Sequence, residues 1–206
     1  MTVVEHLYPS PARRPARAQT AVDLVQRDET DTLAMVVDAQ QTDHENSPGP
    51  HSVARQLERM TAVANQAITS LMTALQASIV DAQNANAMSQ WRSMGHAFLR
   101  WAHDNPMQFQ VMSTPSLLDI EQSGLAEGYR HIRTELRRLI SAAAADGDIY
   151  CISVEDTLVS VRSFIYGLAR MHVDGHFPGW GVRNDDALST MQRLFDSYLF
   201  RLRRTL

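Results

Sequence analysis

The chain has 206 residues, 44% of them hydrophobic, which is enough to bury one substantial core. A formal net charge of −4 excludes a whole-chain attraction to nucleic acid phosphates, and the lack of a run of about 18 apolar residues excludes a predicted membrane helix. A single cysteine excludes an intramolecular disulfide, and Glu5 stands where a signal peptide needs an apolar stretch, so we expect a cytoplasmic protein.

The first 51 residues have the composition of an irregular or divergent N-terminal segment. No aromatic residue occurs between Tyr8 and Trp91, and five of the eight prolines lie within the first 50 residues. A small basic cluster precedes seven acidic residues, and it consists of Arg13, Arg14 and Arg17. This cluster is either a basic arm that enters a DNA minor groove or, as we favour, part of a solvated tail.

Two helices are predicted next along the chain. Apolar residues at steps of four and three predict a first helix over residues 52–81 and a second over 87–104. The large apolar residues of the second helix are Trp91, Met94, Phe98 and Trp101. Asn105 and Pro106 are predicted to end it, because the residue before a proline is pushed out of the α region.

A short helix over 107–112 comes before a longer one that Ser116 is expected to cap and that closes at Asp146, Gly147 and Asp148. Ser153 and Asp156 then form a plausible capping box for a further helix, which Gly175 ends. A Gly-rich loop and a final helix follow. The sequence therefore predicts an all-α fold.

The last two helices carry more apolar residues than one core requires. Each has an apolar face and a further apolar set beside it, so two such helices from each of two subunits are predicted to form a four-helix bundle. Gly167 is explained either by the close approach of another backbone or by crowding inside a monomer. The predicted dimer interface consists of Leu158, Val161, Ile165, Gly167, Leu188, Met191, Phe195, Tyr198 and Leu202.

Two segments resemble the TetR-type transcription regulators. Residues 98–112, FLRWAHDNPMQFQVM, resemble the signature in which a helix ends in Asn-Pro and an aromatic residue follows three positions later. Residues 164–177, FIYGLARMHVDGHF, are similar to a helix of that family's C-terminal domain. Arg162 stands where the family often has Trp, Tyr166 stands where it has His, and Gly167 is retained. The resemblance runs from about residue 52 to the end of the chain.

The N-terminal segment departs from the family's pattern. The family places a three-helix DNA-binding head before the sensor, with a Gly-containing helix-turn-helix and an aromatic pair. This chain has no glycine before Gly49 and no aromatic residue from 9 to 90. We therefore divide the chain into the divergent segment 1–51 and a helical ligand-binding and dimerisation domain, 52–206, and DNA reading is not carried over from the family.

The resemblance implies a pocket for a small apolar or amphipathic effector inside the sensor, with Arg133 or His131 as polar anchors. The competing interpretation is that the same aromatic and methionine residues are ordinary core. The implied ligand-binding residues are Met94, Phe98, Trp101, Phe109, Met112, Tyr129, Ile132, Phe164 and Leu168.

Few residues suggest a catalytic, redox or metal-binding role. His172 and His176 flank Asp174 at a spacing that could hold a metal ion, but Gly175 is expected to end the helix between them, so we favour structural histidines. Cys151 lacks a neighbouring base or a second cysteine in the sequence, which indicates an unreactive thiol. We expect no enzyme activity, no cofactor and no metal site.

Three functional hypotheses follow. The first is a ligand-responsive, homodimeric TetR-like regulator, expected to be a repressor, whose DNA binding is open. The second is a headless sensor that regulates by protein contact with another regulator. The third is that residues 1 to about 50 do not represent the natural head, through a start-site or reading-frame difference.

Overall fold

The computed structural model describes residues 50–114 and 124–203, with side chains from Arg55 onward. Two short 3-10 turns, Phe177–Trp180 and Asn184–Asp186, precede the last helix. The helices are α1 (Pro50–Asp81), α2 (Ala87–Asp104), α3 (Pro106–Met112), α4 (Leu125–Ala145), α5 (Val154–Val173) and α6 (Ala187–Leu202). The predicted all-α fold is confirmed. The expectations for residues 1–49 and for the Ser116 cap lie outside the described residues.

Local side-chain chemistry sets the helix boundaries. Asn86 caps α2 by accepting a hydrogen bond from the Ser89 amide at 2.9 Å. Asn105 then closes α2, and Pro106 occupies the first turn of α3, where no amide hydrogen is needed. The helix stop predicted at Asn105 and Pro106 is therefore present.

The boundaries of α4 and α5 depend on one cap and two glycines. The Ser153 hydroxyl accepts a hydrogen bond from the Asp156 amide at 3.1 Å and so starts α5. Gly147 after α4 and Gly175 after α5 have φ values of 77° and 71°, a region that favours glycine. The loop predicted beyond Gly175 contains both 3-10 turns, which helical periodicity does not reveal because each turn is only three or four residues long.

Helix α2 is the centre of the bundle, because it packs against every other described helix. Trp91 and Leu99 of α2 are fully buried, as is Phe195 of α6. A Cβ atom on Gly95 would overlap the Phe195 ring, so the missing side chain lets α6 seat directly on α2. Of the helices that the structure describes, none is both long and apolar enough to cross a membrane.

Candidate functional site

Four aromatic rings from four helices meet at one side of α2. Phe98 of α2 meets Phe109 of α3 edge to face, with ring centroids 6.2 Å apart. Phe109 also lies 5.4 Å from the ring of Tyr166 on α5. Tyr129 of α4 joins them through its hydroxyl, which donates a hydrogen bond to the Met112 carbonyl at 3.2 Å. The arrangement brings α2, α3, α4 and α5 to a single point.

The guanidinium of Arg162 lies among these rings. Its central carbon is 4.9 Å from the centroid of Tyr166, 5.6 Å from that of Phe98 and 5.9 Å from that of Tyr129. These distances are within the range of cation–π attraction. We call Arg162 with Phe98, Phe109, Tyr129 and Tyr166 the Arg162 cage.

The charge of Arg162 is only partly compensated. Within residues 50–114 and 124–203, no carboxylate pairs with it and no acceptor takes a hydrogen bond from its guanidinium. Burial lowers the pKa of Arg162, although Tyr129 and Tyr166 oppose this shift, and the group stays cationic at neutral pH. Burial also raises the pKa of Tyr129, against the effect of the Arg162 charge. Arg162 is nevertheless exposed to solvent, so its charge is crowded by neighbouring residues but not enclosed in the core.

The structure brings together only part of the implied ligand-binding set. Phe98, Phe109, Met112 and Tyr129 meet at the cage. Trp101 lies elsewhere: its indole N–H donates to the Ser70 hydroxyl of α1 at 3.1 Å. The remaining implied residues, Met94, Leu168 and Ile132, are buried or half-buried in the core.

Phe164 lies away from the cage, because its ring stacks on Tyr198 of α6 with centroids 4.6 Å apart. The two suggested polar anchors, His131 and Arg133, are exposed on α4. The polar group among the rings is Arg162 instead. Its position one helical turn before Tyr166 was the signal in the sequence, but an arginine at helical spacing usually indicates a solvated face.

Two surface grooves lie elsewhere in the described part of the chain. One, of about 180 Å³, is lined by residues of α2 and α6 and includes Arg92 and Asp196. The other, of about 460 Å³, lies between α1, α2 and α6 and includes Trp101 and His96. Asp196 accepts hydrogen bonds from Arg92 and His96 at 2.6 and 2.8 Å, which ties α6 to α2. Trp101 is the one implied ligand-binding residue that lines either groove.

The histidines considered for a metal site do not converge. His172 bonds instead to His103 of α2, with Nδ1 of His103 3.0 Å from Nε2 of His172 and the rings stacked. His176 lies beyond the end of α5 and is exposed. Burial and the neighbouring His103 lower the pKa of His172. Among the described residues, no group of three His, Cys, Asp or Glu side chains is placed to hold a metal ion.

The predicted dimer interface divides into buried and accessible residues. Five of its members are buried within the single chain, and their place in a dimer interface stays a prediction; they are Leu158, Val161, Ile165, Met191 and Phe195. A Cβ atom on Gly167 would meet no atom of the described residues within 4 Å, so crowding by those residues does not explain this glycine. Leu188, Tyr198 and Leu202 are half-buried.

The structure also reveals two apolar side chains that the interface prediction did not include. Val159 of α5 is 61% exposed and Phe200 of α6 is 68% exposed. Both belong to the helices predicted to dimerise. The sequence could not distinguish them from buried neighbours, because each helix has more than one apolar face.

Comparisons with known proteins agree with this architecture. The family model described as "Tetracyclin repressor-like, C-terminal domain" matches residues 91–196, slightly more than half of the chain. The fold is similar to that of a bacterial regulatory protein in the tetR family from Rhodococcus RHA1, with a TM-score of 0.62 and 21% identity over 86% of this chain and 87% of that chain.

A second similar structure is a protein with unknown function from Rhodococcus sp. RHA1, with a TM-score of 0.57 and 17% identity. That match covers 70% of this chain and 72% of the other. At these identities the two structures show a shared fold alone. No curated protein sequence matches the chain significantly.

Proposed function

The chain belongs to the TetR family through its C-terminal domain, and from this we propose that it is a transcription regulator that senses a small molecule at the Arg162 cage. In this proposal the regulatory function comes from the family, and the Arg162 cage is the effector site. The sensor would consist of the helices α2, α3, α4 and α5, and the output would be transmitted through α5 and α6.

The observation that carries the proposal is the Arg162 cage itself. The guanidinium is solvent-exposed, lies against three ring faces and has no carboxylate partner among the described residues, so its N–H groups are open to a ligand. Ligand sites in proteins are commonly apolar with a few converging polar groups. The cage has that composition, with buried Phe98 and Phe109 beside the exposed guanidinium of Arg162.

The effector would enter by separating rings that now touch. Phe109 contacts both Phe98 and Tyr166, so a ligand between them moves α3 or α5 relative to α2. Helix α5 carries Arg162 and Tyr166 as well as Gly167 on its accessible side. A ligand that favours a displaced α5 therefore shifts the population of subunit arrangements.

The regulator is proposed to be a homodimer formed by α5 and α6. Exposed Val159 and Phe200 give these helices an apolar surface on which a second copy can pack, and no atom of the described residues lies within 4 Å of a Cβ on Gly167. A two-fold axis there would place two sensors in one bundle. Repression, DNA binding and a cytoplasmic location complete the proposal.

A salt-titrated DNA-binding assay on the full-length protein, with parallel sedimentation to measure its oligomeric state, tests this function. The expected result is a dimer that binds DNA from around its own coding region specifically and more weakly as salt rises. A dimer that binds no DNA at any salt concentration would contradict direct regulation and favour regulation by contact with another protein.

A further inference from the structure

The exposed guanidinium of Arg162 differs from the ion-paired arginines in what surrounds its charge. Six arginines of the described ranges form ion pairs with carboxylates: Arg92, Arg130, Arg137, Arg138, Arg170 and Arg183. Arg162 has three aromatic rings in place of a carboxylate. Ring faces attract the positive charge, but they do not replace the strong hydrogen bonds that carboxylate oxygens accept from the N–H groups of a guanidinium.

A second polar group faces the same place without a partner. The Tyr166 ring is the closest of the three to the guanidinium, and its hydroxyl makes no hydrogen bond to any residue that the structure describes. By contrast, the Tyr129 hydroxyl is occupied by the Met112 carbonyl. Among the described residues, the N–H groups of Arg162 and the hydroxyl of Tyr166 therefore have no hydrogen-bond partner, and aromatic rings lie beside them.

We propose that the effector is an organic monocarboxylate with an apolar or aromatic body, its carboxylate bound by the guanidinium of Arg162 and its body packed between the rings of Phe98, Phe109 and Tyr166. The inference rests on the sensor function proposed above and names the class of ligand. A planar carboxylate matches the fork of a guanidinium through two parallel hydrogen bonds.

The charge of the cage selects between ligand classes. Aromatic cages commonly bind cationic ligands, but here the guanidinium already occupies the position over the ring faces. A dianionic phosphate would bring two charges to a single arginine and leave one uncompensated among rings. One carboxylate balances the charge of one guanidinium.

Calorimetric titration of the full-length protein with matched acids and primary amides tests the inference. The probes are 4-phenylbutyrate, naphthalene-1-acetate and decanoate, each compared with its amide, which keeps the body and removes the charge. We expect at least one acid to bind more tightly than its amide by about tenfold or more, because a charge-assisted bidentate pair is lost in the amide.

Three variants test whether Arg162 causes the preference for the acid over the amide. Arg162→Met should bind acid and amide equally, and Arg162→Lys should keep part of the preference because it keeps the charge but not the planar fork. Arg133→Met is the matched control, because it removes the same charge from an exposed site on the neighbouring helix α4. It should leave the preference of the wild type unchanged.

The outcomes separate the inference from the proposed function. Equal affinity for acids and amides in the wild type, or an acid preference that survives in Arg162→Met, would overturn the carboxylate assignment and leave the sensor in place. Failure of every acid and every amide to bind would overturn both. The wild-type comparison of acid with amide does not depend on whether Arg162→Met folds.

Discussion

The ring of Phe195 on α6 occupies the space that a side chain on Gly95 of α2 would fill. Helix α6 belongs to the proposed dimer surface, and α2 carries Phe98 of the Arg162 cage. The two helices are further joined by Asp196, which binds Arg92 and His96. Burial raises the pKa of Asp196, but the hydrogen bonds and charges of Arg92 and His96 together outweigh it, so the pKa is lowered overall. The proposed sensor and the proposed dimer surface therefore share one tightly packed helix pair.

Replacing Gly95 with alanine should destabilise the protein. The added methyl group overlaps a fully buried ring, so α6 must shift or Phe195 must leave its position. Overpacking of this kind costs about 1–3 kcal/mol of unfolding free energy. Urea unfolding followed by circular dichroism measures the loss. An unchanged midpoint would mean that α2 and α6 are not packed this closely in solution.

A larger side chain at Gly167, unlike one at Gly95, should leave the stability of the folded chain unimpaired. Gly167→Leu meets no described atom within 4 Å of its Cβ and improves helix propensity by about 0.8 kcal/mol, so folding should be unimpaired. The same side chain should weaken a dimer in which a second backbone approaches α5, and sedimentation equilibrium measures that effect. Thr134→Leu on the exposed face of α4 is the control. An unweakened dimer in Gly167→Leu would remove Gly167 from the interface.

Stability should fall as the solution becomes acidic, partly through His172. Its pKa in the folded protein lies below the ordinary value of about 6.5, so the unfolded chain binds more protons just below that pH. The contribution is complete above about pH 6.5 and is lost as the pH falls towards the lower folded-state value. Denaturant midpoints measured from pH 8 to pH 5 check this.

The variant His172→Gln should have a shallower loss of stability over this pH range. It removes the titrating ring next to His103 and leaves the Arg170–Asp174 ion pair on the same helix. Substitution of the exposed His131 is the control and should keep the wild-type profile. If His172→Gln has the same pH profile as the wild type, the histidine pair does not contribute to the acid sensitivity.

Ser70→Ala should cost about 1–3 kcal/mol of stability, because it leaves the buried Trp101 indole N–H without its acceptor. Ser197→Ala, at an exposed hydroxyl that donates to the Arg193 carbonyl, should change stability by less than about 0.5 kcal/mol. Thermal unfolding of both variants gives the comparison. Equal effects would argue that the Trp101 bond to Ser70 is exchanged for water at no cost.

Local signals were sufficient to predict much of the fold from the sequence. The Asn105 and Pro106 stop, the Ser153 cap and the Gly175 terminus each depend on one or two residues and their immediate backbone. The family resemblance also came from short segments. Such features can be predicted without knowledge of tertiary packing, because their causes lie within a single helical turn.

The parts that could not be predicted depend on which helix faces which. Phe164 and Phe98 are both aromatic residues on apolar helix faces, yet one stacks on Tyr198 and the other joins the cage. Met191 and Phe195 belong to a helix with two apolar faces, and periodicity does not indicate which face meets the chain's own core. Arg162 was missed because two of its three ring partners, Phe98 and Tyr129, come from other helices that are distant in sequence.

A thermal-shift screen of the full-length protein with small aryl and alkyl acids, amides and alcohols tests the central claim, which is that the Arg162 cage is a sensor site. At least one compound should raise the melting temperature of the wild type, because it binds only the native state. Tyr166→Leu should reduce that shift, whereas Tyr150→Leu, at an exposed tyrosine outside the cage, should not. No shift with any compound, or the same shift in Tyr166→Leu, would contradict it.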